Sequence, residues 1–210
     1  MNAPSLQYLS MVLPELDARE LQALGELVAP STGTGILKEL RVGSLGTRLF
    51  EAGAVQELVS RVSVSSSLQN LQLGNADMQS SMSTLAALLE KNSNLNFRKL
   101  TLYGCQIGGT SGAKSLAGAL CKNTTLKELI IVSSEYSEIC EEGVLAFSEM
   151  LKVNRTLKRL KLLNQSAFKK DECAALVNAL NHNQTLEILE LHRLPDTYGF
   201  QDQRIGFCTC

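Results

Sequence analysis

The sequence predicts a right-handed α/β solenoid with a parallel sheet on its concave face and helices on its convex face. A short aliphatic pattern, Leu-x-x-Leu-x-Leu, recurs at a nearly constant period, and amphipathic segments with helical spacing follow it. Asparagines separate several of these segments from the next copy. One such unit cannot bury both its strand and its helix alone, so neighbouring units must stack.

The aliphatic pattern defines about six or seven repeats of 29–31 residues, separated by steps of 31, 31, 29, 29, 31 and 29. Its first positions are Leu6, Leu37, Leu68, Phe97, Leu126, Leu157 and Leu186. Well-formed copies are Leu37-x-x-Leu40-x-Val42 and Leu126-x-x-Leu129-x-Ile131. Leu95 is an alternative to Phe97 as the first position of the fourth copy.

Helices are predicted behind the strands because apolar residues recur at i, i+3 and i+4. The clearest segments are Leu85–Lys91, Ala113–Lys122, Gly143–Lys152 and Cys173–Asn181. In the first repeat, Asp17-x-x-Glu20 has the spacing of a capping box and predicts a helix start.

Four asparagines, Asn92, Asn123, Asn154 and Asn183, occupy the positions where these helices must end. Asparagine tolerates the left-handed conformation, so we expect it to adopt that conformation there. Asn123, Asn154 and Asn183 also begin Asn-x-Thr sequons, and a fourth sequon begins at Asn164. Their periodicity favours a structural role over glycosylation.

Composition narrows the class of protein. The formal net charge of −1 gives no general attraction to nucleic acid or to an anionic membrane, and no apolar run is long enough to span a bilayer. The first residues lack a signal-peptide pattern. Six cysteines at irregular spacings read as reduced thiols, so we expect a cytoplasmic protein.

Two segments carry a family resemblance. Residues 112–129, Gly-Ala-Lys-Ser-Leu-Ala-Gly-Ala-Leu-Cys-Lys-Asn-Thr-Thr-Leu-Lys-Glu-Leu, resemble the ribonuclease-inhibitor subclass of leucine-rich repeats, and residues 143–157 repeat the pattern. Within that subclass they are most similar to the repeats of nucleotide-binding leucine-rich-repeat (NLR) receptors. The resemblance implies a leucine-rich-repeat horseshoe over residues 1–194. Residues 195–210 contain Gly, Pro and Asp, so we expect an irregular tail there.

The chain departs from that family at one position. In the family, an Asn or Cys three residues after the third leucine satisfies backbone groups of the turn. Only Cys105 matches, and the equivalent residues elsewhere are Leu45, Ala76, Ser134, Gln165 and Leu194.

No motif predicts catalysis, a cofactor or a metal. Gly108–Ser115 is glycine-rich, but a phosphate-binding loop needs glycine immediately before its lysine, and Ala113 precedes Lys114. The repeat explains these glycines as the entry to a helix. His182 and His192 have no Cys, Asp or Glu at metal-ligand spacing.

The concave face is the predicted binding site. Strand alternation points Tyr103, Ile130, Val132 and Leu163 toward it as an apolar cluster. Charged residues that alternate in sign from strand to strand surround the cluster. The charged residues predicted to contact the partner are Lys99, Glu128, Arg159 and Lys161. Soluble proteins seldom expose such a cluster without a partner, so we expect a protein partner to bind here.

Charge is also segregated along the chain. Five glutamates between Glu135 and Glu149 are followed, from Lys152 to Lys170, by seven basic residues without an acid. These runs are typical of solvated faces of adjacent repeats. A basic flank for an acidic partner is the alternative.

The expected function is therefore a non-catalytic protein–protein interaction module. The resemblance implies the sensing or regulatory repeat region of a larger innate-immune-type receptor. One alternative is a GTPase-activating protein of the Ran-directed type, with Arg48 in the loop between Val42 and Ala54 as its arginine. A ribonuclease inhibitor is the other alternative, disfavoured because that family is far richer in cysteine and acid. Cys208-x-Cys210 reads as two incidental thiols in the tail.

Overall fold

Seven strands alternate with six helices in a computed structural model that describes residues 6–13, 17–30, 35–44, 49–91, 96–133, 139–163 and 169–192. The strands are β1 (Tyr8–Leu13), β2 (Glu39–Ser44), β3 (Asn70–Gly74), β4 (Lys99–Tyr103), β5 (Glu128–Val132), β6 (Arg159–Leu163) and β7 (Ile188–His192). The helices are α1 (Ala18–Val28), α2 (Ala52–Val64), α3 (Met82–Lys91), α4 (Gly109–Lys122), α5 (Glu141–Val153) and α6 (Lys170–Leu180).

All strands pair in parallel, in the order in which they occur along the chain. The register aligns the second leucine of every copy of the aliphatic pattern: Leu9, Leu40, Leu71, Leu100, Leu129, Leu160 and Leu189. Phe97 is fully buried and takes the first position of its repeat. The predicted α/β solenoid and its register are therefore confirmed.

The core lies between the sheet and the helices. Leu100 and Leu102 of β4 are fully buried, as are Leu116 and Leu120 of α4 and Phe147 of α5. Each fully buried leucine of this kind contributes about 1.5–3 kcal/mol relative to an exposed one. Burial alternates along β5, and in β2, β3, β4 and β6 some residues of the other face are buried as well. The residues between the core leucines point away from the helices.

Helix α1 begins at a side-chain cap. The Asp17 side chain accepts a hydrogen bond from the Glu20 N–H at 2.9 Å, and the Glu20 carboxylate accepts one from the Asp17 N–H at 2.8 Å, which confirms the capping box. Helices α3 to α6 start two to four residues earlier than predicted. Their first turns carry mainly small, polar or charged residues, which apolar periodicity does not detect.

For Asn123, Asn154 and Asn183 the expected left-handed conformation was wrong, because none of them has a positive φ, and Asn92 lies outside the described residues. Asn123 and Asn154 have extended backbones, with φ −73° and ψ 132°, and φ −68° and ψ 131°. The side chain takes over the role of a left-handed cap: Asn123 Oδ1 accepts from the N–H groups of Thr125 and Leu126, at 3.0 and 2.7 Å. Its Nδ2 donates at 2.7 Å to the carbonyl of Leu89, near the end of α3.

The same arrangement recurs down the solenoid. Asn154 Nδ2 donates to the Leu120 carbonyl at 2.6 Å, and Asn183 Nδ2 donates to the Leu151 carbonyl at 2.7 Å. Two repeats before Asn123, the Ser65 hydroxyl donates to the Val28 carbonyl at 3.0 Å. These side chains tie the end of one helix to the beginning of the strand in the next repeat.

Two kinds of side chain hydrogen-bond the backbone carbonyls at the ends of the strands. Cys105 Sγ donates to the Leu73 carbonyl at 3.3 Å, which is the role expected of that ladder position. In the preceding repeat, where Ala76 has no donor, Asn75 takes a left-handed backbone (φ 53°), and its Nδ2 donates to the Ser44 carbonyl at 2.9 Å. The ladder is therefore shifted by one residue in that repeat.

Candidate protein-binding face

The outward residues of the strands form three rows on the sheet surface opposite the helices, which we call the helix-free face. In the first row, Lys99, Glu128 and Arg159 lie side by side on β4, β5 and β6. Lys99 Nζ is 3.2 Å from the Glu128 carboxylate, whereas the Arg159 guanidinium is 3.9 Å from it. Glu128 is therefore shared between two cations, with the closer contact to Lys99.

The second row places Ile130 between Thr101 and Lys161. Lys161 forms an ion pair with Glu190 of β7 at 2.8 Å. Thr101 is only 7% exposed, and among the described residues its hydroxyl has no hydrogen-bond partner. Ile130 is half-buried.

The third row brings Tyr103, Val132 and Leu163 together at the carboxyl ends of their strands. Tyr103 and Val132 are half-buried, and burial raises the pKa of the Tyr103 phenol above its ordinary value. Leu163 is only 3% exposed, so the expectation that it lies open on this face was wrong. Strand alternation predicts the direction of a side chain but not what covers it.

The amino-terminal half of the face carries apolar residues that were not among the predicted contact residues. Tyr8 and Val12 of β1 are 49% and 54% exposed. The Arg41 guanidinium lies 5.4 Å from the centre of the Tyr8 ring and donates to Glu39 at 2.7 Å. The same alternation applied to β1 predicts Tyr8 and Val12 on this face.

The glycine-rich segment has a packing role. A Cβ at Gly112 would lie 1.5 Å from the Ile107 carbonyl oxygen, so α4 can begin this close to the preceding loop only with glycine there. Lys114 lies within α4 and forms an ion pair with Glu142 at 2.6 Å. This geometry agrees with the helix-entry interpretation rather than with a phosphate-binding loop.

The sequons at Asn123 and Asn154 are buried, at 3% and 2% exposure, and the Asn183 side chain is half-buried and hydrogen-bonded. Because their amide nitrogens are engaged in the ladder described above, these asparagines are structural in the folded protein. Asn164 lies outside the described residues.

The acidic run lies largely on α5 and is matched by lysines. Glu141 forms an ion pair with Lys169 just before α6, Glu142 with Lys114, and Glu149 with Lys152 at 2.6 Å. All of these acids are exposed, which fits the interpretation as solvated faces of adjacent repeats. Glu135 and Glu138 lie outside the described residues.

Other predicted features also fall outside the described part of the chain. These are Arg48, the ladder positions Leu45, Ser134, Gln165 and Leu194, and the tail with Cys208 and Cys210. For His192 only the backbone is described, paired with Leu163. Within the described ranges, no group of three His, Cys, Asp or Glu residues is placed to hold a metal ion. No helix there is long and apolar enough to cross a membrane.

Comparisons with solved structures define the class of fold. A leiomodin-1 domain described as actin-binding site 2 superposes with a TM-score of 0.57 at 18% identity, covering 78% of this chain and 87% of that one. The tropomodulin C-terminal domain of Caenorhabditis elegans gives a TM-score of 0.57 at 15% identity, covering 80% and 93%. No family model matches the sequence, and neither does any curated protein.

These likenesses and the seven-stranded repeat establish a leucine-rich-repeat fold. At such identities the likeness concerns the fold alone, so function must be argued from the side chains on it.

Proposed function

We propose that this chain is a non-catalytic protein-binding module whose partner contacts the helix-free face around Tyr103, Ile130 and Val132. The observation that carries the proposal is the adjacency of Tyr103 and Val132 on β4 and β5, half-buried, with Ile130 in the next row. Aromatic and aliphatic side chains held rigidly in a sheet are effective anchors for a protein partner.

The charges around this centre support a protein partner. Glu128 lies between Lys99 and Arg159, and Lys161 pairs with Glu190, so cations and anions alternate around the apolar residues. A partially neutralised polar rim around an apolar centre matches the usual anatomy of protein–protein interfaces. Leu163 adjoins Val132 in the same row, but because it is only 3% exposed it is not a contact residue in this proposal.

The experiment is affinity capture with the whole chain as bait, followed by mass spectrometry. The test variant combines Tyr103→Ala with Val132→Glu. Its matched control combines Leu145→Ala with Val177→Glu on the helices, at residues that are 42% and 60% exposed. A partner captured by the wild type and the control but not by the test variant is expected. Retention by a test variant that remains folded, judged by circular dichroism, contradicts the proposal.

Purified actin is the first defined partner to test, since the leiomodin-1 domain is described as an actin-binding site. We also propose a cytoplasmic location and a sensing or regulatory role within a larger receptor. The resemblance of residues 112–129 to receptor repeats supports that role. The location is supported by four free thiols among the described residues: Cys105, Cys121, Cys140 and Cys173.

A further inference from the structure

A row of basic residues crosses the amino-terminal edge of the sheet, directly before the strands begin. One backbone hydrogen-bond ladder, with N···O distances of 2.7–2.8 Å, connects Gln7, Lys38, Gln69, Arg98, Lys127, Lys158 and Glu187. Consecutive members therefore occupy equivalent positions in neighbouring repeats, about 4.8 Å apart. Arg98, Lys127 and Lys158 are consecutive, so three cations stand side by side.

Arg155 adds a fourth cation at this edge, exposed in the turn before β6. We call Arg98, Lys127, Arg155 and Lys158 the basic edge. Arg98 and Lys158 are also exposed, and Lys127 is half-buried. The charges therefore reach solvent from three adjacent repeats.

Within the described ranges, the ion pair of Lys158 is the one that neutralises part of the basic edge. Lys158 pairs with Glu187 at 2.5 Å. Arg98 donates to the Thr125 carbonyl at 3.3 Å, and Arg155 to the Asn154 carbonyl at 3.1 Å. Among the described residues, Arg98, Lys127 and Arg155 have no carboxylate within ion-pair distance. By contrast, Lys114, Lys122 and Lys152 in the helical layer each contact a glutamate at 2.6 Å.

Asparagine side chains, rather than these cations, hydrogen-bond the ends of the neighbouring helices. Helix carboxyl ends attract positive charge, and α4 and α5 end near this edge. One carbonyl near the end of each helix, however, already accepts a hydrogen bond from an asparagine, Leu120 from Asn154 and Leu151 from Asn183. Like charges side by side on neighbouring strands also repel each other. The arrangement is unfavourable for the isolated chain and becomes favourable next to an anion.

We propose that the basic edge binds an acidic segment of the protein partner, an inference that rests on the proposed function and extends its site. The edge adjoins the helix-free face through Lys99 and Arg159, each of which directly follows an edge residue. One partner can therefore place apolar residues against Tyr103 and Val132 and an acidic extension across the edge. A small cationic group on a chain of net charge −1 suits a short acidic peptide better than a polyanion such as nucleic acid.

The probe is a fluorescein-labelled peptide of alternating glutamate and serine, with the glutamine peptide as its neutral counterpart, measured by fluorescence anisotropy on the whole chain. The test variant combines Arg98→Gln, Lys127→Gln and Arg155→Gln. The matched control combines Lys114→Gln, Lys122→Gln and Lys152→Gln, which removes the same charge from the helical layer. We expect about tenfold weaker binding in the test variant and a change of about twofold or less in the control.

Three outcomes would overturn the inference. They are no binding of the glutamate peptide by the wild type, equal losses in both triple variants, and binding of oligothymidylate or phosphatidylserine vesicles at least as tight as that of the peptide. Thermal melts of both triple variants check that they fold. The probe has no apolar side chain, so its binding tests the basic edge independently of the apolar residues Tyr103, Ile130 and Val132. Failure at the basic edge is thereby distinguished from failure of the proposed apolar site.

Discussion

Asn154 donates a hydrogen bond from Nδ2 to the carbonyl oxygen of Leu120, at 2.6 Å, and so joins the start of β6 to the end of α4 in the preceding repeat. Its Oδ1 accepts from the N–H groups of Thr156 and Leu157, at 2.8 and 2.7 Å. One buried amide thus satisfies backbone groups of two repeats.

Replacing Asn154 with alanine should therefore lower the free energy of unfolding by about 2–4 kcal/mol, since buried donors and acceptors lose their partners. Asn183→Ala is the matched control, because Asn183 makes the same contacts but is only half-buried, so water can replace the lost bonds. Urea unfolding followed by circular dichroism measures both. Equal costs at the two positions would contradict the dependence on burial.

Two glycines of α4 should respond in opposite directions to alanine. A Cβ at Gly112 meets the Ile107 carbonyl oxygen at 1.5 Å, whereas a Cβ at Gly118 meets nothing within 4 Å. Gly112→Ala should destabilise the protein by about 3 kcal/mol or more, because α4 must shift. Gly118→Ala should stabilise it by about 0.5–1 kcal/mol through helix propensity.

Thermal and urea unfolding of the two variants test this pair. If Gly112→Ala is tolerated as well as Gly118→Ala, the close approach of α4 to the preceding loop is not present in solution.

Two buried threonines should also differ. The Thr101 hydroxyl is buried without a hydrogen-bond partner among the described residues, so Thr101→Val should stabilise the protein by about 1 kcal/mol. The Thr125 hydroxyl accepts a hydrogen bond from Asn123 Nδ2 at 3.2 Å, so Thr125→Val should destabilise it by about 1 kcal/mol. If the urea midpoints of both variants move in the same direction, the two hydroxyls do not differ in hydrogen bonding as described.

Much of the fold could be predicted from the sequence because its signals are local and repeated. The leucines from Leu9 to Leu189 predict the strand register, and the spacing of Asp17 and Glu20 predicts a helix start. On the candidate site, alternation predicted that Lys99 and Glu128 lie side by side, as they do.

What the sequence did not predict depends on contacts between repeats. The extended backbone of Asn123 reflects a bond to Leu89, thirty-four residues earlier. Asn75 donates to the Ser44 carbonyl because the side chain of Ala76, at the ladder position, has no donor. The burial of Leu163 depends on neighbours that no local pattern specifies. The strand register predicts which residues are neighbours on the sheet. They do not predict how completely a side chain is covered.

The thiol of Cys105 should make stability depend on alkaline pH. Burial raises its pKa from 9.0 to about 12, although backbone hydrogen bonds act in the opposite direction. Below pH 9 the thiol is protonated in both the folded and the unfolded chain. Between about pH 9 and 12 only the unfolded chain releases the proton, so the free energy of unfolding falls as pH rises, by about 1.4 kcal/mol for each pH unit.

Urea unfolding of the wild type and of Cys105→Ala across this pH range isolates the effect, because all other titrating groups are common to both. We expect the stability advantage of the wild type over Cys105→Ala to shrink steadily above pH 9. Cys121→Ala, which removes an exposed thiol, is the matched control for the chemical change. Parallel pH profiles for the wild type and Cys105→Ala would show that Cys105 is accessible to water and does not serve as a buried donor to Leu73.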